Sequence, residues 1–166
     1  HKHIPKHKFK TDNNLAEIIC KASKLDLKKK QGSLFFTNAV LCYRDKGFTG
    51  AVNPEWFQNC QTFCVRLINI IKPQAIVTLG SMPLRALLHN GSLSYDSKFE
   101  DTGKVLKISR SMREIVETEY QLYYRTVGSK LTYKVFPVFH CGSWGTKARP
   151  LEIQIQDWKK INDYVH

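Results

Sequence analysis

Ala75-Ile76-Val77-Thr78-Leu79-Gly80-Ser81 decides the fold class of this chain. Apolar and β-branched residues in an unbroken short run read as a strand buried on both faces. Gly80 breaks the run, and a helix begins at once over Met82 to Leu88. Strand, tight glycine turn and helix start follow one another in this way in open α/β sheets. Pro73, just upstream, closes an earlier helix whose start is equally marked: Asn53 is placed to cap it and Pro54 to fill its first turn. The inner face of that helix is expected to be Trp56, Phe57, Cys60, Phe63, Cys64, Leu67 and Ile71.

Outward from this unit, Leu34 to Cys42 is rich in Phe, Val and Leu and is expected to form another strand buried on both faces. Before it, Asp12 or Asn13 is placed to cap a helix with Leu15, Ile18, Ile19, Ala22 and Leu25 at a 3.6-residue period. Residues 1–11 form a basic arm. Residues 89–133 read as an insert of uncertain structure, with a turn at Asn90-Gly91, a strand near Val105 to Ile108 and a weakly periodic helix over Ser111 to Tyr124. Val135 to Phe139 is a further core strand ending at His140, and a loop of small residues, Cys141 to Arg149, follows it. A last helix starts at Pro150 and carries Leu151, Ile155, Trp158, Ile161 and Val165 on one face. The order predicts one α/β domain over residues 1–166 with a mainly parallel central sheet flanked by helices.

The chain has 166 residues, with 26 Lys and Arg against 14 Asp and Glu, and a formal net charge of +12. Such a field concentrates polyanions, and nucleic acid is the expected partner. The alternatives are a basic surface kept for solubility, or an artificial leader in His1-Lys2-His3. No apolar run approaches the roughly 20 residues of a membrane helix, and the first ten residues lack the apolar core of a signal peptide. The protein is therefore expected to be intracellular, in the cytoplasm or with the nucleoid or nucleus, to have no membrane partner and to act as a monomer. The five cysteines include no Cys-x-x-Cys pair, which argues for free thiols rather than a disulfide scaffold.

In open α/β sheets ligands gather beyond the carboxyl ends of the strands. Three features fall there: Asn38 within an apolar stretch, the Gly80-Ser81 turn, and His140 with its loop. An Asn amide matches the acceptor–donor edge of a pyrimidine, although a core Asn satisfied by backbone would look the same. His140 reads equally as a hydrogen-bonded histidine at a strand end. After it, Gly142, Ser143 and Thr146 offer small donors, Lys147 and Arg149 add charge, and Trp144 is a wedge or an aromatic folded back on the surface. Small donors, a wedge and bases together make a grip for a DNA backbone.

At this point the residues resemble a family. Leu34 to Cys42, with its Asn38-Ala39-Val40-Leu41 core, is similar to the second strand of uracil-DNA glycosylases. Lys72 to Gly80 followed by Ala86-Leu87-Leu88 resembles that superfamily's Pro-x-x-Val-x-Leu-Gly strand and helix, and Phe136 to His140 resembles the strand leading to its His-Pro-Ser motif. The resemblance covers about residues 12–89 and 134–165. It implies a central four-stranded parallel sheet in a three-layer fold, and DNA containing uracil as partner and substrate. It implies that Asn38 reads the uracil edge and that His140 hydrogen-bonds uracil O2 as negative charge develops. Trp144 would fill the gap left by the flipped base, and Ser81, Gly142, Ser143, Lys147 and Arg149 would hold the backbone.

Two departures stand beside it. The family's first motif, a glycine-rich turn carrying the group beside the attacking water, should precede residue 12, and the arm His1 to Lys10 has neither Gly nor acid. Either the chain is truncated at its N-terminus or it lacks the water-activating group and is a catalytically inactive module that binds nucleic acid. The second departure is Cys141-Gly142 where Pro-Ser is usual, so the grip loop is expected to differ in shape. Some branches hold a [4Fe-4S] cluster with two cysteines spaced like Cys42 and Cys60, but four thiolates are needed, so structural thiols and no cofactor are expected unless further cysteines lie upstream. A small-molecule enzyme using Gly80-Ser81 as a phosphate turn is the remaining reading, and that turn lacks a Gly-x-Gly-x-x-Gly or Walker pattern.

Overall fold

Asn53 shows how local chemistry starts the longest helix. Its side-chain oxygen accepts the Glu55 N–H at 3.0 Å, and Pro54 follows at the first helical position, where its missing N–H costs nothing. In the computed structural model, which describes residues 10–23, 34–41, 53–94, 111–117, 122–126 and 128–165, this helix is α2 (Pro54–Ile71). Lys72 ends it in the left-handed region at φ 47°, with its N–H on the Ile68 carbonyl at 2.8 Å. The other elements are α1 (Lys10–Ser23), β1 (Ala75–Leu79), α3 (Ser81–Asn90), β2 (Gly91–Ser94), α4 (Met112–Glu117), β3 (Leu122–Thr126), β4 (Thr132–Val138), α5 (Ser143–Ala148) and α6 (Leu151–Val165). The described residues fall into two compact units, one drawn from His1–Leu34 and Val138–His166 and the other from Phe35–Pro137.

The second unit holds a mixed α/β arrangement around a four-stranded sheet in the order β1-β4-β3-β2. Gly80, at φ 92°, makes the expected turn from β1 into α3, in a region of backbone space that favours glycine. The core lies between the sheet and its helices: Leu84 and Leu87 from α3, Ile115 from α4, Leu93, Leu122, Tyr124, Tyr133 and Val135 from the strands, with Ile68 of α2 packed against them. Thr126 of β3 is buried and donates to Asn69 Oδ1 of α2 at 3.1 Å, which satisfies its hydroxyl inside that core.

Three expectations for this unit are corrected. The sheet is not mainly parallel: β2 pairs antiparallel with β3, and β3 antiparallel with β4. The insert supplies β2 and β3, and the short link between β3 and β4 permits only an antiparallel return. The expected helix over Ser111 to Tyr124 stops at Glu117, and Leu122, Tyr124 and Thr126 are buried at every second residue, the period of a strand. Residues 35–41 form no strand. Phe35, Phe36 and Leu41 are exposed, and the segment is held to α2 by sulfur instead of a ladder: the Leu41 N–H donates to Cys60 Sγ at 3.3 Å, and Cys64 Sγ to the Ala39 carbonyl at 3.8 Å. The strand expected at Val105 to Ile108 lies outside the described residues.

In the first unit α1 lies against α6. Ile18 and Ile19 are the buried residues of α1, while α6 buries Gln154, Ile155, Asp157, Trp158 and Ile161. Helix α1 starts at Lys10, so Asp12 sits in its first turn, where a carboxylate complements the helix dipole, rather than at the cap. Cys20 of α1 is exposed.

Candidate functional site

His140 and the residues after it are built from the end of β4 downwards. Val138 is the last residue of the strand, and Cys141 is buried with 1% exposure, while His140 between them is exposed. The Gly142 N–H donates to His140 Nδ1 at 3.0 Å. In a neutral imidazole a nitrogen that accepts carries no hydrogen, so the ring hydrogen is on Nε2. The expected loop is instead the six-residue helix α5, which packs as closely as backbone allows. A Cβ at Gly145 would fall on the His140 carbonyl oxygen and lie 2.6 Å from its carbon. A Cβ at Gly142 would come within 2.9 Å of the imidazole. Thr146 closes the turn, its N–H on the Gly142 carbonyl at 2.9 Å.

Residues that sequence reasoning missed hold this segment in place. Asn14 of α1 donates from Nδ2 to the Cys141 carbonyl at 2.7 Å, and Cys141 Sγ reaches the Thr11 carbonyl at 3.5 Å. Burial pushes the Cys141 thiol above its ordinary value. Beyond α5, Arg149 meets Asp157 in a bidentate pair, Nε to Oδ2 at 2.6 Å and Nη2 to Oδ1 at 2.8 Å, and Gln154 Nε2 donates to the Arg149 carbonyl at 2.8 Å. The guanidinium also lies over the Phe139 ring at 5.6 Å. Arg149, expected to hold the DNA backbone, has its Nε and Nη2 engaged by Asp157 within the fold. A carboxylate among the buried residues of α6 was the one available signal for Asp157, since a buried acid needs a partner. Asn14 carries no such signal, because its partner is 127 residues away.

Ser143, Trp144 and Lys147 are exposed beside His140 in the chain, Trp144 at 84%. Lys147 Nζ stands 5.2 Å from the centre of the Trp144 ring, so an aromatic and a cation share one face of α5. His140, Gly142, Ser143, Trp144, Lys147 and Arg149 are therefore gathered in the first unit. Asn38 and Ser81 belong to the second. Asn38 is exposed on the extended segment, not enclosed in a strand, and Ser81 is the half-buried first residue of α3. The same segment borders a cavity of about 240 Å³ lined by Leu41, Asn59, Cys60 and Phe63. Cys60 is buried in α2 and accepts the Leu41 N–H, a structural use of the thiol; Cys42 lies outside the described residues. No group of three or more His, Cys, Asp or Glu side chains that could hold a metal ion occurs among the described residues. None of the described helices is long and apolar enough to cross a membrane.

An exposed imidazole with its hydrogen fixed on Nε2 is a neutral donor for an oxygen on which negative charge accumulates. No protein-family model matches the chain, and no curated protein matches it.

Proposed function

We propose that this protein is a uracil-DNA glycosylase-like hydrolase, which cleaves the N-glycosidic bond of deoxyuridine in DNA, releases uracil and leaves an abasic site. The observation that carries the reading is the Gly142 N–H on His140 Nδ1, which leaves the exposed ring a single donor hydrogen on Nε2. The net charge of +12 supports a polyanionic partner, and the Trp144–Lys147 face supports contact with stacked bases and phosphates. A layered glycosylase-like architecture, with helices on both faces of the sheet, belongs to the same proposal.

The chemistry asks little of an acid. A base inside a duplex is out of reach, so the nucleotide is extruded at a cost of a few kcal/mol, and Trp144 is suited to occupy the gap. As the bond from C1′ to uracil N1 lengthens, the sugar takes on oxocarbenium character and the bonding pair leaves with uracil. His140 Nε2–H donates to the O2 of the departing anion. Water adds its hydroxide to C1′ and its proton ends on uracil. Removing one such donor typically costs about 10²–10³ in rate.

The deciding experiment incubates the protein with a uracil-containing oligonucleotide and then with alkali. Strand breaks at uracil that vanish in His140→Ala are expected. Trp144→Ala should weaken duplex binding with an unchanged Tm, because the ring is 84% exposed. Salt-sensitive binding without breaks would overturn the enzyme and leave the inactive DNA-binding module.

A further inference from the structure

We propose that Asn14 is a positioning residue for His140, acting through the Cys141–Gly142 peptide to fix which imidazole nitrogen carries the hydrogen. The effect on reaction rate rests on the glycosylase-like reading above; the effect on the ring does not.

The Cys141 carbonyl and the Gly142 N–H are two ends of one peptide group. Asn14 Nδ2 holds the oxygen end at 2.7 Å, and the nitrogen end donates to His140 Nδ1 at 3.0 Å. A peptide group is planar, so holding its oxygen sets the direction of its N–H. Hydrogen bonds in series also polarise one another, so a donor on the carbonyl makes the N–H at the far end a better donor. The peptide is tied to α1 a second time, by Cys141 Sγ on the Thr11 carbonyl at 3.5 Å. Nothing bulky separates ring and peptide, since even a Cβ at Gly142 would come within 2.9 Å of the imidazole. Helix α1, far away in sequence, therefore controls the protonation pattern of His140 through a single amide side chain. Without the Asn14 donor the peptide can turn, the Gly142 N–H leaves Nδ1, and the ring hydrogen distributes over both nitrogens.

The test is nuclear magnetic resonance of the ¹³C- and ¹⁵N-labelled full chain at alkaline pH, alongside single-turnover uracil release. In the unaltered protein, couplings across hydrogen bonds are expected from Gly142 N to His140 Nδ1 and from Asn14 Nδ2 to the Cys141 carbonyl carbon. The ring nitrogens should show the Nε2–H form alone. Absence of either coupling, or a ring hydrogen on Nδ1, overturns the proposal without any variant. In Asn14→Ala, and in the equally sized Asn14→Asp, which has no donor, the two ring nitrogens should shift towards one another as both forms become populated. Uracil release at saturating DNA should fall about tenfold with DNA affinity unchanged, the loss expected of one hydrogen bond. A retained Nε2–H pattern in a folded variant overturns the proposal. Uracil release in the unaltered protein with an unmoved ring in the variants removes Asn14 and leaves His140 in place. A moved ring with no uracil release from the unaltered protein keeps the positioning and removes the glycosylase.

Discussion

Gly145→Ala tests the closest contact in the His140 segment. Inside a helix this substitution normally stabilises by about 0.5–1 kcal/mol, because glycine loses more conformational freedom on folding. Here the added methyl would fall on the carbonyl oxygen of His140, with the carbonyl carbon 2.6 Å and Cα 3.3 Å away. All three atoms are backbone, so no rotamer change relieves the overlap, and α5 must shift away from the His140 backbone. Overpacking costs about 1–3 kcal/mol, and a contact with backbone belongs at the upper end of that range. Subtracting the helical gain leaves a net loss of about 2 kcal/mol. For a chain of this size that lowers Tm by about 4–8 °C. Urea and thermal unfolding followed by tryptophan fluorescence, with Trp158 as the buried reporter, measure it directly. Gly128→Ala is the comparison, since nothing lies within 4 Å of its added methyl and only the positive φ of 76° opposes it. A Gly145→Ala protein as stable as the unaltered chain, or more so, would refute the contact, because the helical gain would then stand alone.

Two further outcomes follow from the same segment. Asp157→Ala strands the Arg149 guanidinium, whose side chain is only 12% exposed, and should cost about 3–5 kcal/mol by urea unfolding; Arg149→Met with Asp157→Leu should lie nearer the unaltered chain than either single change, since a buried ion pair is costly mainly when half of it is removed. Burial raises the Cys141 thiol above its ordinary 9.0, so above pH 9.0 the unfolded chain releases a proton that the folded chain still holds. Stability present below that pH is therefore lost as pH rises towards the raised folded value. Cys141→Ala should flatten the decline in urea midpoint between about pH 8 and about pH 10, and an unchanged slope would refute the assignment.

The parts of the fold written in neighbouring residues were legible. Asn53-Pro54 announces α2, Gly80 the turn from β1 into α3, and the spacing from Leu151 to Val165 the face of α6, because caps, left-handed turns and helical periods are local. Residues 35–41 misled for the opposite reason: composition states what a segment can bury, and only the neighbours decide whether it does. Phe35 and Phe36 are exposed because that segment meets α2 through thiols and, among the described residues, has no strand beside it. The antiparallel turn of the sheet was hidden in an insert whose alternation at Leu122, Tyr124 and Thr126 spans too few residues to outweigh the helical pattern before it. At the site, His140, Trp144 and Lys147 could be named from their order in the chain. Asn14 and Asp157 could not be assigned roles, since each acts on a residue that only folding brings near.

Cys141-Gly142, where the sequence resemblance leads one to expect Pro-Ser, has a physical logic in the packing around it. A Cβ at 142 would lie 2.9 Å from the imidazole and 3.0 Å from Thr11 Oγ1, so a side chain there requires the His140 ring to shift. At 141, proline offers no side-chain donor, whereas the cysteine thiol is buried and donates to the Thr11 carbonyl. The two residues therefore act together: glycine lets α1 approach, and cysteine uses the approach to tie the same peptide down. The group that matters to the ring, the N–H of residue 142, is supplied by glycine as well as by serine. That N–H is supported from α1, through Asn14 on the Cys141 carbonyl and Cys141 Sγ on the Thr11 carbonyl, and it reaches His140 Nδ1.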